Sequence, residues 1–259
     1  MSSTCSPPYE TLASIYDHVM QHVDYRNWAM YIKSILARFE SRSQRLVDLA
    51  CGTGNLTFEL ARCGYDVVGI DRSPAMIAAA RQKTGSPQST DANGAAPAFL
   101  VGDLTALTDL DGLEPFDAAV CAYDSFNYLL TTADVLRACD QVFRILKPDS
   151  LFIFDVCTER NSLRYFDDVH DAGEGPGFSY KRHSYYDRTK NLQYNHFAIE
   201  LAAVAGVLEE THTQHIYPWS DLELMLETCP FELLGAYSGF TFNKGSARSD
   251  RVHFVLRRP

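Results

Sequence analysis

The sequence predicts an α/β fold in which a mostly parallel sheet is built from strands that alternate with helices. Residues 45–71, RLVDLACGTGNLTFELARCGYDVVGID, hold an apolar run, a glycine turn, an amphipathic segment and a second apolar run. This is the pattern of a right-handed βαβ unit. Three later segments, at 178–187, 191–201 and 207–217, alternate apolar with polar residues, which is typical of antiparallel strands. The chain therefore combines a parallel core with an inserted antiparallel sheet.

The composition is that of a folded protein with an acidic surface. The chain has 259 residues, of which 46% are hydrophobic, and its formal net charge is −10. Because a negative surface repels phosphate groups, we expect neither nucleic acid nor a membrane as partner. Seven cysteines form no Cys-x-x-Cys pair, and we find no signal peptide and no run of eighteen apolar residues. We expect a reduced, cytoplasmic protein without a metal site.

The first forty residues predict a helical cap in two segments that break near residue 23, after a disordered start at residues 1–8. Apolar residues recur there at helical spacing. Aromatic residues at this spacing usually pack, so we interpret Trp28 and Tyr31 as core residues. For Tyr16 the sequence leaves packing and contact with a ligand equally open.

The glycine turn after the first strand predicts a nucleotide-like cofactor. Gly52 and Gly54 can adopt positive φ without steric cost and let a ligand approach the backbone. Asp71 ends the second strand, where a carboxylate suits the hydroxyl groups of a ribose. Dinucleotides and S-adenosylmethionine (SAM) both use this arrangement. The dinucleotide fingerprint needs a third glycine where this chain has Thr57, and Asp48 before the turn disfavours a pyrophosphate.

The segment Asp48–Gly54, DLACGTG, closely resembles the first motif of the class I SAM-dependent methyltransferases. The resemblance extends from about Arg45 to Asp155, although Ala50 stands where many members have glycine. It implies a Rossmann-like, seven-stranded, mostly parallel sheet with an antiparallel last strand. It also implies SAM as cofactor and S-adenosylhomocysteine as product. The cofactor-binding residues that we expect are Asp48, Ala50, Gly52, Gly54, Asp71, Arg72, Met76, Asp103, Leu104 and Tyr123.

The loop after the predicted fourth strand should face the reactive end of the cofactor. Ligands of open α/β sheets bind beyond the carboxyl ends of the strands, and residues 123–129, YDSFNYL, follow such an end. The loop resembles the D-S-x-N-Y-L form of the fourth motif in methyltransferases that act on small amines and sugars. The predicted cap resembles that of small-molecule members. We therefore predict four catalytic residues, namely Tyr16, Tyr123, Asp124 and Asn127.

The remaining segments complete the alternation of strands and helices. Ser73-Pro74 predicts a cap and the first position of a helix, and Gly, Pro and Ser residues predict a surface loop at 84–97. We expect further strands at 98–101, 116–122 and 151–156, helices at 133–146 and 219–228, a turn at 147–150, and a closing hairpin from 231–242 and 251–257. The predicted domains are a cap at 1–40, a cofactor domain at 41–157 and 218–259, and an inserted lid or dimer subdomain at 158–217.

The predicted function is SAM-dependent methyl transfer to a small molecule, more readily to nitrogen than to oxygen. The methyl group of SAM is already activated, so the protein needs mainly to align donor and acceptor. His196 and His215 are possible but disfavoured bases, and we do not interpret His212 and His215 as a metal-binding pair. Three alternatives stay open: a tRNA- or protein-directed methyltransferase, a non-catalytic SAM-binding protein, and a nicotinamide dehydrogenase. A homodimer through the inserted sheet is also possible.

Overall fold

The computed structural model describes residues 3–85, 96–110, 113 and 115–259. Its strands are β1 (Ser3–Cys5), β2 (Arg45–Leu49), β3 (Asp66–Asp71), β4 (Ala98–Val101), β5 (Phe116–Cys121), β6 (Leu146–Cys157), β7 (Val169–Gly175), β8 (Phe178–Asp187), β9 (Leu192–Leu201), β10 (Val207–His215), β11 (Glu232–Ser238) and β12 (Arg251–Arg257). Its α-helices are α1 (Tyr16–Val19), α2 (Tyr25–Arg38), α3 (Asn55–Arg62), α4 (Pro74–Lys83), α5 (Thr132–Ile145), α6 (Glu159–Tyr165) and α7 (Trp219–Thr228).

The larger sheet has seven strands in the order β11-β12-β6-β5-β2-β3-β4. The pairs among β2 to β6 are parallel, and β12 is antiparallel to both of its neighbours. Helices α2 and α3 pack on one face, and α5 and α7 pack on the other. Since both faces are covered, the strands are continuous apolar runs rather than alternating ones. The predicted α/β fold with a mostly parallel seven-stranded sheet is confirmed.

The second sheet contains the three predicted antiparallel strands and two more. Its order is β1-β10-β9-β8-β7, with β1 parallel to β10 and the other pairs antiparallel. Residues 169–175, VHDAGEG, carry too little apolar character to be recognised as β7 from sequence. The prediction of a disordered start is wrong at residues 3–5, because these residues pair with Val207–Glu209.

Local expectations are confirmed at some helix ends and wrong elsewhere. The Ser73 hydroxyl accepts a hydrogen bond from the N–H of Met76 and caps α4, with Pro74 at the first helical position. The predicted turn at 147–150 is instead a bulge inside β6, where Asp149 has φ 60°. Residues 86–95 of the predicted surface loop lie outside the described residues. Within the described part of the chain, no helix is long and apolar enough to cross a membrane.

Candidate active site

A cavity of about 410 Å³ lies where the carboxyl ends of β2, β3 and β5 meet the N-terminal residues and the second sheet. Its wall has two parts. The cofactor half comprises Asp48, Ala50, Gly52, Asp71, Arg72, Met76, Asp103 and Leu104. The acceptor half comprises Tyr9, Tyr16, Tyr25, Trp28, Tyr123, Asp124, Tyr128, His212, Gln214 and Arg251. Two predicted residues, Gly54 and Asn127, do not line it.

The turn after β2 is held in place by backbone hydrogen bonds to one carboxylate. The N–H of Gly52 donates to Oδ2 of Asp71 at 2.8 Å, and the N–H of Ser73 donates to Oδ1 at 2.8 Å. Three residues of the turn have positive φ: 55° at Ala50, 56° at Gly52 and 80° at Gly54. The turn therefore begins at Ala50, where a side chain is strained in a conformation that glycine adopts freely.

Gly54 supports the turn from behind the cavity wall. A Cβ atom built there would lie 2.6 Å from ring carbons of Phe99, so neither its φ nor the packing tolerates a larger residue. The expectation that Gly54 contacts the cofactor has no support in this geometry. The residue lets the turn close against Phe99 instead.

Asp48 is a buried carboxyl group at the bottom of the cofactor half. Its side chain is 2% exposed, and Oδ2 accepts a 2.6 Å hydrogen bond from the hydroxyl of Thr57. Burial raises the pKa of Asp48 to about 7; the Thr57 hydrogen bond opposes this shift and the charge of Asp71 adds to it. A cationic group beside Asp48 would stabilise the ionised form.

The other predicted cofactor residues lie along the same wall. Met76 is buried at the start of α4, whereas Arg72 and Asp103 are exposed at the rim. Oδ1 of Asp103 accepts hydrogen bonds from the N–H and the hydroxyl of Thr105, at 2.7 and 2.6 Å. These bonds fix the loop after β4, with Leu104 partly buried beside it. The structure therefore brings the ends of β2, β3 and β4 to one surface.

An acidic residue in the cap docks it onto the glycine turn. Oδ1 of Asp17 accepts hydrogen bonds from Thr53 and Asn55, at 2.6 and 2.9 Å, and Oδ2 pairs with Lys83 at 2.7 Å. Burial raises the pKa of Asp17, but these partners outweigh it and the pKa lies below its usual value. The docking places Tyr16 beside Gly52, since a Cβ atom at Gly52 would lie 3.9 Å from Cε1 of Tyr16.

Tyr123 and Asp124 turn the chain sharply at the end of β5. Their φ angles are 61° and 49°, which are uncommon for residues other than glycine and are often found at functional sites. Asp124 accepts hydrogen bonds from Nη2 of Arg251 and from Nε2 of Gln214, both at 2.6 Å. Burial raises the pKa of Asp124, and Arg251 opposes this shift. Both carboxylate oxygens already have partners, so Asp124 anchors the loop.

Asn127 connects three elements instead of facing a ligand. It is fully buried, its Nδ2 donates to the carbonyl of His215 at 2.8 Å, and its Oδ1 accepts from the N–H of Cys157 at 3.0 Å. The catalytic role expected for Asn127 has no support in this geometry, because backbone groups occupy its amide. Asn127 holds the loop after β5 against β6 and β10.

Arg251 is a site residue that the sequence reasoning missed. It pairs with Asp124 and with Asp155, and its guanidinium lies 5.2 Å from the ring centres of both Trp28 and Tyr123. The order of the predicted strands could have indicated the position of Arg251. The last strand is antiparallel, so its first residue must lie at the carboxyl edge of the parallel strands. The structure also gives Trp28, interpreted as a core residue, a place in the wall.

His212 and Glu210 form a buried pair on β10 that was also missed. Oε1 and Oε2 of Glu210 accept hydrogen bonds from the N–H groups of Leu12 and Tyr9, at 2.9 and 3.0 Å, and Nε2 of His212 lies 3.3 Å from Oε2. Burial raises the pKa of Glu210, but the hydrogen bonds from His212 and from the backbone outweigh it and lower the pKa. Nδ1 of His212 is buried and has no hydrogen-bond partner among the described residues.

The histidines considered from sequence lie elsewhere. His196 contacts the hydroxyl of Thr211 at 2.8 Å on the opposite face of the sheet, and His215 contacts the carbonyl of Leu130 at 2.8 Å. Neither lines the cavity. The sequence did contain a signal for His212. Side chains alternate along β10, so a strand with one buried face places residues 210, 212 and 214 together. Of these side chains, His212 and Gln214 line the cavity.

Two tyrosine hydroxyls meet at the top of the acceptor half. The hydroxyl of Tyr9 donates to that of Tyr128 at 2.6 Å, and the ring of Tyr9 lies 4.4 Å from the imidazole of His212. Burial raises the pKa of Tyr9 and of Tyr128, so both hydroxyls stay protonated at neutral pH. The acceptor half is therefore aromatic and offers neutral hydrogen-bond groups beside one imidazole.

Comparison with known proteins agrees with this arrangement. Residues 46–149 match the model of a methyltransferase domain family. The putative methyltransferase YqeM of Bacillus subtilis is 35% identical over 252 residues, which are 96% of this chain and 97% of that protein. A SAM-dependent methyltransferase structure from Clostridium acetobutylicum superposes with a TM-score of 0.77 at 22% identity, over 96% of this chain and 98% of that one. The sugar N-methyltransferase KedS8 from Streptoalloteichus gives 0.71 at 23% identity, over 94% and 93%.

Proposed function

Because this chain belongs to the class I SAM-dependent methyltransferases, we propose that its acceptor is a small molecule and that the methyl group goes to an amine nitrogen. The enzyme uses SAM as cofactor. One observation carries the proposal. The acceptor half of the cavity contains a buried imidazole whose Nδ1 has no partner among the described residues, surrounded by tyrosines.

The cofactor half has the chemistry that SAM requires. Asp48 is a buried carboxyl group with a raised pKa, and the ammonium of the methionine moiety would stabilise its ionised form. Each oxygen of Asp71 accepts one backbone hydrogen bond and can accept a second, so Asp71 would hold the ribose hydroxyls, as the family resemblance implies. Asp103 with Leu104 would hold the adenine on the same grounds. When bound, SAM supplies a methyl group that is already activated. The protein then has to hold the acceptor in line with it.

The size of the cavity favours a small acceptor. The whole cavity, including its cofactor half, measures about 410 Å³, so bound SAM would leave room only for a small acceptor beside it. The net charge of −10 disfavours a nucleic-acid substrate, because phosphates would be repelled.

Methylation of an amine requires a group that removes a proton from the acceptor, and His212 can take this role. Nitrogen attacks through a lone pair, so the ammonium form must first lose a proton. The ionised Glu210 can only accept hydrogen bonds, which places the proton of the imidazole on Nε2 and leaves a lone pair on Nδ1. Nδ1 is closed off from the cavity in this structure, so this lone pair can take the proton from the acceptor once side chains around His212 move aside.

The aromatic wall suits the same acceptor. The ring centres of Tyr9 and Tyr16 lie 6.1 Å apart, and those of Trp28 and Tyr123 lie 5.7 Å apart. Aromatic faces attract cations, so they would draw an ammonium group toward the base. The structural likeness to a sugar N-methyltransferase is consistent with this assignment. Although Arg251 lies over two of these rings, its charge is paired with two carboxylates.

Three further expectations remain proposals. We propose that the enzyme acts in the cytoplasm, that its acceptor is not a nucleic acid, and that two copies can associate through the second sheet. The absence of a Cys-x-x-Cys pair and the acidic charge support the first two. The long exposed edge at β7 supports the third, because an edge strand offers unpaired backbone groups.

Methyl transfer from labelled SAM tests the proposal. The purified chain is incubated separately with amino sugars and amino acids, phenols and quinols, tRNA, and a peptide pool. We expect label on an amine nitrogen of a small molecule. Label on carbon or oxygen, or in the tRNA or peptide fraction, would overturn the acceptor assignment. In a thermal-shift assay, S-adenosylhomocysteine should stabilise the protein and NADH should not.

A further inference from the structure

The outer face of the second sheet carries a row of histidines that methyl transfer does not use. Antiparallel pairing puts His170 opposite His183, and His183 opposite His196. The rings of His170 and His183 are stacked at 4.0 Å with an interplanar angle of 3°. Asp168, just before β7, completes the group. We propose that Asp168, His170 and His183 bind one divalent transition-metal ion of the Zn²⁺ type.

The donor atoms have the spacing of a metal site. Oδ1 of Asp168 lies 2.8 Å from Nε2 of His183 and 3.7 Å from Nε2 of His170, and the three ligand atoms all lie within 4.8 Å of one another. Bonds of about 2.0–2.2 Å to a tetrahedral Zn²⁺ place neighbouring ligand atoms roughly 3.3–3.5 Å apart. The observed distances bracket that value, so small side-chain movements would suffice.

The side chains are free to make those movements. The side chains of Asp168 and His170 are 79% and 70% exposed, and that of His183 is 37% exposed. Because the two imidazoles are parallel, each must rotate about its side-chain torsions to aim its lone pair at a common point. Exposed side chains rotate without disturbing a packed core. Two imidazole nitrogens and one carboxylate suit Zn²⁺, Ni²⁺ or Cu²⁺, with water completing the coordination.

Sequence spacing did not reveal this group. Thirteen positions separate His170 from His183, and it is the β7–β8 register that makes them neighbours. The expectation of a protein without a metal site came from local patterns such as Cys-x-x-Cys and His-x-x-His. A cross-strand site leaves no such pattern.

A bound ion would stiffen one wall of the cavity. Tyr165 and Phe166 line the cavity just before Asp168, and Arg182 lines it on the inner face beside His183. An ion that ties Asp168 to β8 would therefore fix the segment that carries these residues. This consequence rests on the proposed function, whereas metal binding itself does not.

Calorimetric titration of the full chain with Zn²⁺, after treatment with a chelator, tests the site. A Cys5→Ser background removes an exposed thiol that could bind the ion. We expect one ion per chain, and at least about tenfold weaker binding in His170→Ala and in His183→Ala, as expected for the loss of a ligand. His196→Ala is the matched control, since this histidine lies in the same row outside the group. Cobalt(II) bound to the control variant should give a visible absorption spectrum, and this spectrum should be absent with both ligand variants.

Two results would overturn the proposal: no saturable binding to the parent chain, or equal weakening in all three variants. The titration contains no methyl acceptor and no SAM, so its outcome is independent of the acceptor assignment. The wall effect is tested afterwards with the acceptor that the labelling experiment identifies. Zn²⁺ should then lower the acceptor KM of the parent chain and leave that of His183→Ala unchanged.

Discussion

The two halves of the cavity are built in opposite ways. Most of the cofactor half comes from one continuous stretch, residues 48–76, in which each strand end leads directly into the next turn. The acceptor half takes side chains from at least five separate segments, including Tyr9, Tyr16, Tyr128, His212 and Arg251. The cofactor half is organised by local backbone geometry, and the acceptor half by long-range pairing.

Long-range contacts in the acceptor half converge on a few charged groups. Glu210 on β10 accepts the N–H groups of residues 9, 11 and 12, and the Ser73 hydroxyl donates to the carbonyl of Tyr9 at 2.9 Å. Arg251 on β12 holds Asp124 and Asp155 in the same way. The difference between the halves predicts that changes in the acceptor half alter turnover without altering SAM affinity.

The largest expected effect is that of His212→Ala. Removal of a general base usually lowers the rate about 10²- to 10⁴-fold, so kcat should fall by at least about 100-fold. SAM affinity, measured by calorimetry, should stay within about twofold because the base lies in the acceptor half.

His215→Ala is the matched control for that prediction. His215 is on the same strand but contacts the Leu130 carbonyl outside the cavity. Its removal should leave kcat unchanged. If His212→Ala kept the kcat of the parent enzyme, His212 would be a structural residue and the proposed proton transfer would be wrong.

Arg251→Met should have the next largest effect, on stability. The side chain of Arg251 is 19% exposed and neutralises Asp124 and Asp155, which would otherwise repel each other. Breaking a buried pair leaves an uncompensated charge and costs about 3 kcal/mol. The midpoint of urea unfolding should fall accordingly, and the second change Asp155→Asn should recover part of the loss.

The exposed Arg248 provides a control for that change in charge. Arg248→Met alters the net charge equally but removes no ion pair with these carboxylates, so its midpoint should move little. A midpoint in Arg251→Met equal to that of Arg248→Met would mean that the pair adds no stability. The loop after β5 would then be held against β12 by packing alone.

Most residues that the sequence predicts for the cofactor lie together in the structure, for a physical reason. Asp48, Gly52 and Asp71 belong to one βαβ unit, whose geometry is fixed by short-range rules. Gly54, which the sequence predicts as a cofactor contact, lies against Phe99 and does not line the cavity. A glycine that is needed for packing and one that is needed for a ligand have the same sequence signal.

Tyr16, Tyr123 and Asp124 were placed in the acceptor half from sequence, but His212 and Arg251 were missed because their positions depend on strand register. His212 was considered only as half of a His-x-x-H pair, and Arg251 only as part of a closing hairpin. Their roles follow once β10 faces the cavity and β12 runs antiparallel. Asn127 was predicted to be catalytic because its backbone partners on β6 and β10 are distant in sequence and could not be foreseen.

SAM binding to the cofactor half should depend on pH through the ionisation of Asp48. Burial raises the pKa of Asp48 to about 7, whereas an unfolded Asp has about 3.9. The carboxyl group therefore stabilises the cofactor-free fold below about pH 4, and this contribution is lost as pH rises toward 7. SAM binding should show the opposite trend, because its ammonium needs the ionised carboxylate.

Affinity for SAM should rise about fivefold between pH 6 and pH 7, following the ionised fraction of Asp48 while the ammonium of SAM stays protonated. Calorimetry at the two pH values measures this change. Asp48→Asn should remove the dependence, whereas the exposed Asp103→Asn should keep it. A pH-independent affinity in the parent enzyme would contradict the contact between Asp48 and the ammonium.

Tyr9→Phe should give the smallest effect and decide whether the N-terminal segment belongs to the acceptor half. The change removes the 2.6 Å hydrogen bond to Tyr128 and leaves the ring against His212. A neutral hydrogen bond contributes about 1 kcal/mol, so the acceptor KM should rise about fivefold while kcat and SAM affinity hold. Tyr194→Phe, on the outer face of the second sheet, should change none of these quantities. If Tyr9→Phe lowered the affinity for SAM instead, Tyr9 and the cap would belong to the cofactor half.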